Sequence, residues 1–215
     1  MYIENKLRWL NASNQTAKYQ VGLVEQLMIQ FPKDKIVVLE VGSAFGGAVE
    51  FIAKLLKSVS SDRGVVYGYD TFTGHPKDLA ITPDNEEAHA MDIWYDKPLF
   101  IPETLTYKYQ RNWLDHEGLT NAFLVKGRVN KHSFDDIKTA HLVMLDMDLV
   151  KPTQIAYDAL KDKVVRNGYM LIHDAVPTTH IPQLHDFVFN EVVKDGRWTI
   201  EKVADHDYIV SLKRI

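Results

Sequence analysis

Five short apolar runs, set apart by stretches of helical period, constrain this chain more than any other feature. They are "KIVVLEV" (35–41), "GVVYGYD" (64–70), "NAFLVKG" (121–127), "HLVMLDM" (141–147) and "GYMLIHDAV" (168–176). Apolar runs of this length, bounded by turn residues, read as strands of a buried parallel sheet. The intervening "AVEFIAKLLKSV", "PTQIAYDALKDKVV" and "IPQLHDFVFNEVVKD" carry apolar residues at helical spacing. Pro152 suits a first helical turn, and the Thr178–Thr179 region is placed to cap the last of the three. Strands alternating with helices predict an α/β fold: a Rossmann-like, doubly wound, mainly parallel sheet covered on both faces. The tail breaks the alternation, because only a few polar residues separate "RWTIEKVAD" from "DYIVSLKRI". It reads as an antiparallel hairpin closing the sheet.

A chain of 215 residues is most simply one domain with a sizeable core, spanning 1–215. Two segments depart from the regular pattern. Residues 1–32 are expected to be helical around "KYQVGLVEQLMIQF" and to pack across the sheet edge or over the site. Residues 71–112 mix prolines, acids and aromatics without a period, too long for a simple connection, and are expected to form a lid or substrate loop. Trp94, Tyr95, Phe100 and Tyr107 would supply it with an aromatic wall, or serve the core. A net charge of −4, with no long Lys/Arg run, argues against nucleic acid as a partner. The absence of cysteine removes disulfides and thiolate chemistry. No apolar run approaches bilayer length and the first residues lack a signal-peptide core, so no membrane partner and a cytoplasmic location are expected.

The junction "VVLEVGSAFGGAVEFIAKLL" places Glu40, Gly42, Gly46 and Gly47 where a strand hands over to a helix. Glycines there let a ligand approach the backbone where a Cβ would collide; a merely tight connection is the alternative. The turn is not the dinucleotide G-x-G-x-x-G, because Ala44 occupies the central glycine position. Glu40 would repel a pyrophosphate and suits a cationic or zwitterionic ligand. The next strand ends at Asp70, where an acid can accept hydrogen bonds from both ribose hydroxyls of an adenosine or, alternatively, serve as a turn or cap residue.

"LEVGSAFGGAVEFIAKLL", "VYGYDTFTGHP", "LVMLDMDLVKPTQIAYDAL" and "NGYMLIHDAVP" resemble, in order, the motifs of class I S-adenosylmethionine-dependent methyltransferases, in particular the macrocin O-methyltransferase type. The resemblance covers about Val37 to Pro177 and implies a seven-stranded methyltransferase fold binding S-adenosyl-L-methionine. It implies that Gly42, Ser43, Gly46 and Gly47 line the methionine part of the cofactor with Glu40 nearby. Asp70 would hold the ribose and Thr71 and Phe72 would flank the adenosine. Gly127 and Arg128, with Lys126, would lie at the adenine edge.

Asp146 and Asp148 follow the fourth apolar run, and His173 and Asp174 end the fifth. Carboxylates gathered on neighbouring strand ends repel unless a cation neutralises them. A few oxygens plus waters suit Mg²⁺, which would grip an acceptor's hydroxyls and ease deprotonation of the attacking one. Asp146, His173 and Asp174 are the expected metal ligands, with helix caps or turn acids as the bland alternative for Asp148 and Asp174. The chain departs from its relatives by carrying His173-Asp174-Ala175 after the fifth strand. A ligand is then either replaced by His173 or lost at Ala175, and a histidine ligand favours Mn²⁺, Fe²⁺ or Zn²⁺ over Mg²⁺. His173 with Asp146 are the candidate catalytic pair, His173 being the first choice of base and His180, Lys151 and His75 further ones. The expected activity is O-methyl transfer to a small-molecule or sugar acceptor, with homo-oligomerisation left open. A metal-dependent hydroxylase on the same fold and a non-catalytic nucleotide-binding module are the alternatives.

Overall fold

The computed structural model describes residues 14–59, 62–74, 106–179, 181–204 and 209–215. Seven strands form one sheet: β1 (Ile36–Val41), β2 (Gly64–Asp70), β3 (Ala122–Lys126), β4 (Ala140–Leu145), β5 (Val164–His173), β6 (Trp198–Ala204) and β7 (Ile209–Arg214). Their order is β3-β2-β1-β4-β5-β7-β6. β1 to β5 run parallel; β7 pairs antiparallel with β5, and β6 antiparallel with β7. The expected hairpin is present, with its second strand inserted between β5 and its first.

Period-two alternation within each strand divides the core into two layers. Ile36 and Val38 of β1, Val66 of β2, Leu142 and Met144 of β4, and Tyr169 and Leu171 of β5 meet α1 (Asn14–Gln30), α2 (Gly47–Val59) and α3 (Tyr107–His116). Leu39 and Val41, Tyr69, Val143 and Leu145, and Met170 and Ile172 face the other way, onto α4 (Val150–Leu160) and α5 (Pro182–Phe187). The N-terminal segment therefore packs on a sheet face beside α2, through Leu23, Val24 and Leu27 of α1. Arg63 ties its end to β2 by donating to the Met28 and Phe31 carbonyls at 2.6 and 2.8 Å.

Two expectations need adjustment. The helix expected from "IPQLHDFVFNEVVKD" is α only over Pro182–Phe187, continues as a π-turn over Val188–Val192 and closes in a 3₁₀ turn at Val193–Asp195. Ile181 stands at its N-cap without a side-chain cap, and Thr179 instead accepts from the Ile181 N–H at 3.1 Å. Residues 107–112 of the segment expected to be irregular form the start of α3, capped by Thr106, whose hydroxyl accepts from Tyr109 N–H. His75, Trp94, Tyr95, Phe100, His180 and His206 lie outside the described residues.

Candidate active site

Strand order reverses between β1 and β4, the position at which open α/β sheets bind ligands beyond their carboxyl ends. By strand alternation Glu40, Asp70, Asp146 and His173 all belong to the α1–α3 side of the sheet. The 36–38–40, 66–68–70, 142–144–146 and 169–171–173 series share that parity.

The glycines of the turn have separate reasons. Gly42 lies at φ +93°, and a Cβ there would stand 1.7 Å from the Asp146 carbonyl oxygen, so glycine is required by the approach of β4. The Gly42 N–H donates to Tyr69 O at 2.8 Å, and Asp146 N–H to Val41 O at 2.8 Å, which draws the ends of β1, β2 and β4 together. Gly46, at φ +68°, is pressed by the Gln110 side chain, whose Oε1 would lie 2.5 Å from an added Cβ. Only Gly47 has nothing within 4 Å of its Cβ position.

Asp70 shapes the same turn. Its Oδ2 accepts from Ala44 N–H at 2.9 Å and its Oδ1 from Phe72 N–H at 2.7 Å. The turn-aspartate geometry is therefore real, and it fixes the carboxylate in orientation while leaving acceptor capacity at its oxygens. Gly127 N–H donates to Asp70 O at 2.9 Å, bringing the β3 end alongside. Arg128 is exposed beyond it. Thr71 donates to Gly74 O at 2.7 Å, and Phe72 is buried, its ring edge-on to Tyr107 in the helix-side core.

Glu40 is 8% exposed, and its Oε2 has no hydrogen-bond partner among the described residues. Burial first, then the charges of Asp146 and Asp70, hold its pKa well above the ordinary carboxylate range against an opposing hydrogen bond from the Val49 backbone. The buried Ser43 hydroxyl is likewise without a hydrogen-bond partner among the described residues. A buried carboxylate oxygen and a buried hydroxyl, both unsatisfied among the described residues, are the chemistry that a polar, zwitterionic ligand would complete.

Asp146, Asp148, His173 and Asp174 each offer a ligand atom within 4.8 Å of the others. Asp148, read from sequence as a cap or a fourth acid, thus joins the three expected ligands. His173 Nδ1 stands 3.0 Å from Asp146 Oδ1 and 3.1 Å from Asp174 Oδ2. Burial alone would lower the histidine pKa, but the charge and hydrogen bonding of Asp146, then of Asp174, push it up to about 11. Three carboxylates and an imidazole at this separation are a donor set for a divalent cation, the histidine leaning to the borderline metals. Asp148 and Asp174 sit at φ +54° and +55°, so both loops turn back through the left-handed region as they leave the sheet.

Gln110 is the residue that sequence reasoning missed. It is 3% exposed on α3, and its Nε2 donates to the Ala44 carbonyl. A lone glutamine in an amphipathic helix carries no signal of this, since its partner is 66 residues away.

Comparison with known proteins agrees with this fold. The family model described as macrocin-O-methyltransferase (TylF) matches residues 22–203. Among solved structures, the chain is similar to the O-methyltransferase NovP at 20% identity and TM-score 0.71, over 93% of this chain and 79% of that one. It is similar to CalS11, a calicheamicin methyltransferase, at 16% identity and TM-score 0.67, over 93% of this chain and 80% of that one. Another structure of CalS11, in the apo form, is that of a TDP-rhamnose 3′-O-methyltransferase, at 15% identity and TM-score 0.57 over 93% and 80% of the two chains. SMU.1697c of Streptococcus mutans, in complex with SAH, aligns at 12% identity and TM-score 0.57, over 92% and 97% of the two chains. Curated protein sequences give no match. At these identities the structural likenesses establish the seven-stranded methyltransferase fold.

Proposed function

This chain belongs to the macrocin O-methyltransferase family, and from that premise we propose that it methylates a hydroxyl of a sugar or sugar-bearing small molecule with the help of a divalent cation. Family membership makes it a methyltransferase that draws on S-adenosylmethionine, and leaves the hydroxylase and non-catalytic readings without support. The sugar acceptor is inferred from the substrates named for CalS11.

The observation that carries the proposal is the adjacency of two sites at one strand crossing. The buried, unpartnered oxygens of Glu40 and Ser43 lie near the four-residue donor cluster at Asp146, Asp148, His173 and Asp174, close enough for the Asp146 charge to act on Glu40. Glu40 and Ser43 would hold the amino-acid end of the cofactor, Asp70 its ribose, and Gly127 with Arg128 the adenine edge. S-adenosylmethionine supplies an electrophilic methyl on its sulfonium, and a divalent cation supplies positive charge that eases loss of a coordinated hydroxyl proton. The acceptor oxygen attacks in line: its C–O bond forms as the C–S bond breaks, and the electron pair stays on sulfur. Asp146 would take the released proton through a carboxylate oxygen that the cation leaves free, and His173, held protonated by Asp146 and Asp174 until a cation displaces that proton, would orient the hydroxyl with the remaining acids.

Calorimetric titration of S-adenosylhomocysteine into metal-stripped protein, without and with Mg²⁺ or Mn²⁺ and a nucleotide-linked deoxysugar, tests this. Binding of the nucleoside without metal, and of the sugar only with it, is the expected pattern. Sugar methylation should then fall at least about a hundredfold in Asp146→Asn. Metal-independent turnover in that variant would remove the cation from the proposal.

A further inference from the structure

We infer that Gln110 is a positioning residue that sets the shape of the cofactor turn from outside it, and thereby the affinity for the cofactor; this rests on the reading of that turn as the S-adenosylmethionine site. Neither strand of the crossing nor the helix that follows the turn contains it. It reaches in from α3, which begins at Tyr107, far along the chain.

Ala44 is the strained point of the turn. This residue occupies φ +41°, where an L-residue with a Cβ is strained by about 1–2 kcal/mol relative to the right-handed region. A conformation of that kind persists only where its surroundings over-determine it. Both polar groups of Ala44 are gripped by side chains: its N–H donates to Asp70 Oδ2 at 2.9 Å, and its carbonyl accepts from Gln110 Nε2. The two clamps come from elements remote in sequence, Asp70 from the end of β2 and Gln110 from α3.

The same amide also meets Gly46. Its Oε1 lies where a Gly46 Cβ would be 2.5 Å away, so side chain and glycine are shaped to each other. Gly46 in turn accepts from the Glu50 N–H at 3.0 Å and donates to Ser43 O at 2.7 Å, linking the clamp to the first turn of α2 and to the Ser43 corner. Gln110 therefore touches the turn at both ends of the Ala44–Gly46 segment. It contacts neither the acidic cluster nor the acceptor edge through any of these bonds. Its loss should accordingly weaken cofactor binding and leave the chemical step nearly intact.

Gln110→Leu keeps the side chain's bulk and removes both amide atoms. We expect amide hydrogen exchange over residues 43–47 of the cofactor-free variant to accelerate about tenfold, the equivalent of one buried hydrogen bond, with exchange over α4 unchanged. The Kd for S-adenosylhomocysteine and the KM for S-adenosylmethionine should rise by about the same tenfold, with kcat at saturation within about twofold of wild type. A merely structural role would instead raise exchange throughout the molecule and leave the ratio of KM to kcat where it was.

Should the leucine variant not fold, Gln110→Glu retains the shape and the acceptor but loses the donor, and carries the same expectation. Gly46→Ala provides a second route. Its penalty on cofactor affinity should be smaller in a Gln110→Ala background than in wild type, because the colliding atom is gone. Unchanged exchange over 43–47 together with an unchanged Kd in the Gln110 variants overturns the inference while the wild type still binds tightly. Failure of the wild type itself to bind S-adenosylhomocysteine overturns the cofactor reading on which it rests, and is distinguishable for that reason.

Discussion

At the scale of single residues, three glycines in one turn stand in three different surroundings, and substitution should separate them. Gly42→Ala drives a Cβ into backbone rather than into a flexible side chain, so the strand ends must part. A loss of more than about 4 kcal/mol, or no soluble protein, is expected from a denaturant titration. Gly47→Ala meets nothing within 4 Å and places alanine in a first helical turn. Its thermal midpoint should hold or rise slightly, the helix gaining up to about 1 kcal/mol, while S-adenosylhomocysteine should bind more weakly on the proposed reading that the cofactor lies against this glycine. Glu40 shows the complementary conflict. Its raised pKa means that the folded state binds a proton more readily than the unfolded one. Stability is therefore lost as pH rises from the ordinary carboxylate range towards the folded pKa. Glu40→Gln should remove that loss, making the cofactor-free protein more stable near neutrality while weakening the cofactor. Equal stability of the two proteins across that range would contradict the assignment.

At the scale of elements, β4 leads into the acidic cluster at one end and carries a buried histidine near the other. His141 is 4% exposed, accepts from Val37 N–H through Nδ1 at 3.2 Å, and packs edge-on to Phe31 behind α1. Burial first lowers its pKa below 6.5, with Arg63 adding to and Asp34 opposing the effect. The unfolded chain then takes the proton more readily, so this contribution to stability is complete above 6.5 and is lost as pH falls below it towards the folded pKa. His141→Gln should flatten the stability–pH profile below pH 6.5, whatever it does to the value at neutrality. On the other face, Tyr157 of α4 donates to Asp195 Oδ2 at 2.8 Å and accepts from Trp198 Nε1 at 3.1 Å. This links a helix to the end of the π and 3₁₀ turns and to β6. Tyr157→Phe strands the buried indole N–H and should cost about 1–3 kcal/mol without changing cofactor affinity.

At the scale of the whole molecule, the functional groups are spread over chain positions from Glu40 to Asp174 and meet because five parallel strands end together. Ligand binding should therefore stabilise the entire fold rather than one loop. S-adenosylhomocysteine at about a hundred times its Kd adds about 2.7 kcal/mol, which for a chain of this size raises the melting temperature by about 5–10 °C. That shift should shrink in Gln110→Leu and vanish in Glu40→Ala. A wild-type melting curve insensitive to the nucleoside would count against the cofactor site as a whole.

Strand and helix succession, the closing hairpin and the chain positions of Glu40, Asp70, Asp146, His173 and Asp174 were all determined by the sequence itself. Apolar period and turn residues are local signals, and a parallel sheet puts strand ends on one edge whatever the loops do. The tertiary structure alone decided why Gly42 and Gly46 are glycines. Gly42 answers to a carbonyl of β4 and Gly46 to a side chain of α3, contacts with no signature in the neighbouring letters. It alone also decided that Asp148 joins the acids, that Asp70 grips Ala44, and that Gln110 completes the grip from 66 residues away. These are matters of distance between segments remote in sequence. Periodicity records which face a residue presents, and only packing determines what it meets there.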